Sequence, residues 1–189
     1  IEGLAGANMF ADNGLGMEAW IDQVLQTVSS KKNLTIVNTS NGTEVLYYDE
    51  DNGQDYQEEE HDHAEEEHDH EEEDHKHGEY DPHIWLSLKE AKVQAENIKN
   101  ALISIDEENK DYYEANFDAF ASELNALESE YKEKFDALAN KYFITGHSAF
   151  GYLCRDFGLT QVGISGLRAE GEPTAQALKQ LIEFAKNNE

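Results

Sequence analysis

Strand-like and helix-like segments alternate on both sides of one long apolar-periodic stretch, which predicts an α/β protein of two lobes joined by a rigid helix. Three observations carry that expectation. Residues 8–40 run as apolar patch, glycine turn, amphipathic helix and β-branched segment. Phe117, Phe120, Leu124, Leu127, Tyr131, Phe135 and Leu138 follow at three- and four-residue steps with no Gly or Pro. Strand and helix patterns then restart at residue 142.

The elements follow in order. Asn8 to Phe10 lead into Asn13-Gly14-Leu15-Gly16, a turn, and then "MEAWIDQVLQTVSS" repeats Trp20, Val24 and Val28 at helical spacing with Ile21 and Leu25 beside them. Residues 34–40, "LTIVNTS", read as a second strand closed by an Asn41-Gly42 turn signal. From about 49 to 80 apolar periodicity is lost to Glu, Asp and His, so this segment is expected to be a disordered insertion. Order resumes at Asp81-Pro82, and Ser87-Leu88-Lys89-Glu90 matches a capping box in which Ser87 caps a helix and Glu90 reaches back. Ala91, Ala95, Ile98 and Leu102 carry that helix to about residue 103.

Asp106 reads as the next N-cap, of one helix from roughly 107 to 140. At about 1.5 Å per residue it would be on the order of 50 Å long. Such a helix forms a coiled coil or braces two lobes, and uneven aromatic spacing favours the brace. "YFIT" then reads as a strand, "SAFGYLCRDF" as a helix ended by Gly158, "LTQVGI" as a strand, and "AQALKQLIEFAKNN" as a helix capped by Thr174. The expected division is therefore 1–105 as a first lobe, 106–141 as linking helix and 142–189 as part of a second lobe.

Charge limits the partners. The formal net charge is −27, and residues 49–81 supply −17 of it through 18 acids against Lys76 alone. The remaining −10 spreads over an otherwise ordinary chain of 189 residues. A surface of that sign repels nucleic acid and anionic lipid and attracts cations. The single Cys154 excludes an intrachain disulfide and a multi-cysteine zinc site. Neither a signal peptide nor a membrane-spanning apolar run occurs, and a start at Ile1 leaves a leader or lipid anchor upstream open.

The histidines carry the chemistry. His61, His63, His68, His70, His75 and His77 fall within 17 residues, whereas His83 and His147 are the two that lie elsewhere. Imidazole is a preferred zinc ligand, and i, i+2 pairs on a flexible chain let two rings meet one ion with carboxylates completing the shell. The alternative is a solvated acidic linker. Ordering such a loop opposes binding, so weaker and faster-exchanging sites are expected there. His83 in "YDPHIW" sits on a turn stiffened by Pro82, either as a ligand or packed under Trp85. His147 in "YFITGHSAFGYL" stands at the carboxyl end of a predicted strand, where ligands commonly bind. Ser148 beside it suggests a hydrolase, but no G-x-S-x-G elbow is present.

"NGLGMEAW", the acidic histidine-rich insertion, "DPHIWLS", the long helix, "FITGHSAFGYLCRDFGL" and "GISGLRAEGEPT" occur in the order seen in zinc-specific substrate-binding proteins of bacterial ABC importers. The chain resembles that family over essentially its whole length. The resemblance implies a C-clamp, two α/β lobes bridged by a rigid helix, with the metal between them. It makes His83 and His147 primary zinc ligands and His61, His63, His68, His70, His75 and His77 an auxiliary site. Manganese-carrying members place a glutamate where His147 stands, and imidazole suits zinc better than manganese. A further histidine ligand is expected upstream of Ile1 and an acidic ligand or water downstream of Glu189. "GLRAEGEPT" departs from the family's proline-containing loop and leaves the shape of that loop open.

The implied function is an extracytoplasmic zinc receptor, periplasmic or lipid-anchored, that delivers Zn2+ to the membrane permease of an ABC importer and catalyses nothing. Imidazole ligates when neutral, so binding is expected to fall below about pH 6.5. The rivals are a zinc buffer built on the histidine run, a manganese-binding protein of the same fold, a zinc hydrolase using His83 and His147, and an adhesin. The hydrolase lacks an HExxH motif.

Overall fold

The computed structural model describes residues 6–28, 34–49, 54–57, 79–165 and 175–187. Strand β1, Met9–Asp12, pairs in parallel with β2, Thr35–Asn38, in the register Met9↔Thr35 to Asp12↔Asn38. Helix α1, Ile21–Val28, makes the crossover. It begins later than the periodicity from Met17 predicts, because residues 14–16 hold φ of 84°, 55° and 77°, and Met17 N–H still bonds Gly14 C=O in that left-handed turn. At Gly14 a Cβ would fall 2.4 Å from Asn38 Oδ1, so a side chain there would force the Asn38 and Ser40 side chains to shift. Leu15, a residue with a Cβ in the same region, is held by packing on the buried cluster Leu46, Ile84 and Tyr152.

The expected insertion at 49–80 is corrected at both roots. Strand β3, Leu46–Asp49, pairs antiparallel with β4, Gln54–Gln57, on one side and with β5, Glu79–Tyr80, on the other. Composition hid these strands, because backbone pairing to Leu46–Asp49 supplies order that their polar side chains do not advertise. Residues 58–78, with all six clustered histidines, lie outside the described residues.

After a 3-10 turn at Ile84–Leu86, α2 runs Leu88–Ile105 and packs on β1, β2 and the next helix. Ser87 does cap it, its Oγ accepting the Glu90 N–H at 3.2 Å. The reciprocal half of the box is not made. Ser87 N–H bonds Ile84 C=O, and Glu90 turns inward, one carboxylate oxygen taking Glu44 N–H at 3.1 Å and the other Arg155 at 2.8 Å. The buried Arg155 cation and the Glu44 amide together hold that carboxylate away from the Ser87 amide.

The long helix α3 is Lys110–Asp136, shorter than 107–140 at both ends: Glu107–Asn109 form a 3-10 turn before it, and Ala137 caps its C-terminus. Asp106 holds the entry by accepting from Asn109 Nδ2 and from the Tyr113 hydroxyl at 2.8 Å. Leu124 is buried, whereas Phe120, Leu127 and Tyr131 on the adjoining edge stay exposed. The α/β pattern then restarts as predicted. Strand β6, Tyr142–His147, pairs in parallel with β7, Thr160–Ser165, across helix α4, Gly151–Phe157, which Gly158 ends at φ 62°. Helix α5, Ala175–Asn187, packs on β7, and its predicted cap Thr174 lies outside the described residues.

Candidate metal centre

The site starts from a turn. Asp81 N–H bonds Leu46 C=O at 2.9 Å, extending the β3–β5 ladder by one residue, and Pro82 C=O accepts from Asn13 Nδ2 at 2.8 Å. Between these anchors the Asp81 carboxylate folds back onto its own turn. Its Oδ1 accepts the His83 N–H at 2.9 Å and lies 2.7 Å from His83 Nδ1. Both side chains are buried, Asp81 completely. A carboxylate accepts but cannot donate, so this contact puts the ring proton on Nδ1 and leaves the Nε2 lone pair available. A histidine locked in that tautomer is prepared to bind a cation.

His147 arrives from the other half of the chain, on the last residue of β6, opposite Ser165 of β7. Its ring centroid is 5.5 Å from that of His83, with 55° between the planes. Two imidazoles on one tetrahedral zinc, each with Zn–N of about 2.0–2.1 Å, put their centroids on the order of 5 Å apart. Trp85 lies 5.4 Å from His83 between centroids, so that ring does pack against the indole.

Tyr152, on the first turn of α4, donates to Asp81 C=O at 2.7 Å and accepts Leu46 N–H at 3.1 Å. Further out, Arg155 reaches Asp156, Glu90 and the Glu44 carbonyl at 2.9, 2.8 and 2.9 Å. Burial alone would lower the Arg155 pKa, but the hydrogen bonds to Asp156 and Glu90 overcome it and hold the guanidinium above its ordinary value. Ser87 Oγ also donates to Asp156. The segments that carry His83 and His147 are thus pinned to each other.

Among the described residues no set of three His, Cys, Asp or Glu could enclose a metal. His83 and His147 would supply two of the four donors usual for zinc. His61, His63, His68, His70, His75 and His77, like the "GLRAEGEPT" loop, lie outside the described residues. Sequence reasoning missed Asp81 and Tyr152. An acid two residues before a histidine was the available signal for Asp81, while nothing local marks Tyr152.

The family model described as zinc-uptake complex component A, periplasmic (ZnuA), matches residues 1–189. The chain belongs to the ZnuA family. It is 36% identical over 188 residues to the high-affinity zinc uptake system protein ZnuA of Bacillus subtilis, covering 100% of this chain and 54% of that protein. Likewise it is 37% identical over 183 residues to the zinc-binding lipoprotein AdcA of Streptococcus pneumoniae, covering 96% of this chain and 34% of that one. The chain therefore spans about half or less of these curated relatives. A crystal structure of ZnuA superposes with TM-score 0.77 at 32% identity, over 98% of this chain and 62% of that one. The laminin-binding protein Lbp of Streptococcus pyogenes does so with TM-score 0.75 at 29% identity, over 99% and 61%. These likenesses place the chain in the α/β solute-binding fold of the ZnuA family.

Proposed function

We propose that His83 and His147 bind one zinc ion as cargo, and that the protein captures zinc outside the cytoplasmic membrane for the permease of an ABC importer. The observation that carries this reading is the 5.5 Å between two rings that stand far apart in sequence. Asp81 supports it by presenting His83 through Nε2. Membership in a zinc-uptake family and the zinc named in its relatives support zinc over manganese. Neutral nitrogen donors also suit a partly buried zinc ion without gathering uncompensated carboxylates. Groups beyond these two imidazoles complete the shell. The run from His61 to His77 serves as an auxiliary zinc site of lower affinity. The protein carries its ion rather than acting as an enzyme. No helix among the described residues is long and apolar enough to cross a membrane.

Calorimetry on the full-length protein tests both sites. His83→Ala and His147→Ala are each expected to weaken tight zinc binding by at least roughly a hundredfold, since a lost ligand exceeds the 10–100-fold effect of an outer-sphere change. Deletion of residues 58–78 should leave that tight site in place and remove only weaker binding. The opposite pattern, tight binding lost with the deletion and kept in both alanine variants, would establish the buffer reading instead. Likeness to a laminin-binding protein supports adhesion as a second role, which direct laminin binding would test.

A further inference from the structure

Two buried hydrogen bonds meet at one phenol. The Tyr152 hydroxyl donates to the Asp81 carbonyl at 2.7 Å and accepts the Leu46 amide at 3.1 Å, and its side chain is fully buried. Burial pushes that phenol well above the ordinary tyrosine range, so it remains a neutral donor. Tyr152 follows His147 by five residues, and Asp81 precedes His83 by two. One oxygen atom therefore joins the two segments that carry the imidazoles.

We propose that Tyr152 is a positioning residue that sets the His83–His147 spacing for zinc, acting through the Asp81 carbonyl rather than touching the ion. The inference rests on the reading that both rings share one ion. Its physical basis is the narrow tolerance of metal sites, whose ligand distances hold to about ±0.2 Å. Without the hydroxyl, the Asp81 C=O and the Leu46 N–H lose a common partner in a dry interior, and the turn relaxes until other groups satisfy them. His83 moves with that turn, because Asp81 Oδ1 holds both its backbone and its ring. Tyr152 also sits in the cluster with Leu46 and Ile84, so its ring sets the depth of the turn and its oxygen sets the lateral position.

The test compares wild type, Tyr152→Phe, His83→Ala and Leu124→Ala in the full-length protein. Leu124 is buried in α3 and takes no part in the site, so its truncation controls for lost stability. Zinc affinity is read by competition with a chromophoric chelator, and site geometry by the visible absorption of bound Co2+. Tyr152→Phe is expected to weaken zinc by roughly tenfold, as part of the cost of its two lost buried hydrogen bonds falls on the site, and to alter the cobalt spectrum. Leu124→Ala should change neither. Wild-type affinity and spectrum in Tyr152→Phe, with the site lost in His83→Ala, overturn the positioning role alone. Wild-type affinity in His83→Ala overturns the shared-ion reading and this proposal with it. Should Tyr152→Phe fail to fold, exchange of the Tyr152 hydroxyl proton in wild type decides. Coupling between pin and ion is reciprocal, so zinc should slow that exchange, and unchanged exchange overturns the proposal.

Discussion

Asp81 and Asp12 show how placement divides two identical side chains. Asp81 is buried against two N–H donors of His83 and orients a ring. Asp12, at the end of β1, has a pKa raised first by burial and then by the negative charge of Glu18. The folded state therefore holds that proton more tightly than the unfolded chain does. Its contribution to stability is present below the ordinary aspartate value of 3.8 and is lost as pH rises through the higher folded value. Asp12→Asn removes this titration. Thermal unfolding followed across the acid range should show a flatter pH profile for the variant and a higher midpoint than wild type at neutral pH, and identical profiles would refute the assignment.

Helix ends and turns are decided by backbone conformation more than by contacts. Gly158 closes α4 at φ 62°, and a Cβ added there would meet nothing within 4 Å, so Gly158→Ala should lose only the left-handed penalty, about 1 kcal/mol. Gly14 shares the positive φ, but a Cβ there would stand 2.4 Å from Asn38 Oδ1 and 2.6 Å from Ser40 Oγ. Gly14→Ala should therefore destabilise clearly more than Gly158→Ala in denaturant titrations. Equal losses would mean that the Asn38 and Ser40 side chains swing away freely. The same distinction explains α2, whose capping serine was legible as a local pattern, while Glu90 answered a distant arginine.

Across the molecule, Arg155 is the cation that binds distant segments together. It is largely buried and contacts Asp156, Glu90 and the Glu44 backbone at once, with Glu90 and Asp156 side chains only 4% and 3% exposed. Removing it strands two buried carboxylates, so Arg155→Ala should cost about 3–5 kcal/mol in equilibrium unfolding. Arg155→Lys should recover only part of that loss, because an ammonium cannot match the planar fork that reaches Asp156, Glu90, the Glu44 carbonyl and Ser87 Oγ. Full recovery by lysine would show that charge alone, without the geometry, holds the segments.

What the sequence determined by itself was whatever depends on neighbours in the chain. Periodicity marked α1, α2 and α3, a β-branched run marked β2, Gly158 marked a helix end, and the two isolated histidines stood out by type and setting. Tertiary structure decided everything that needed a second segment. It found β4 and β5 by pairing them with β3, turned Glu90 inward, and left one edge of α3 exposed. It also brought the His83 and His147 ring centroids to 5.5 Å and set the Tyr152 hydroxyl on the Asp81 carbonyl. Local patterns report a residue's own backbone preference, whereas hydrogen bonds to distant partners and burial exist only once the chain has folded back on itself.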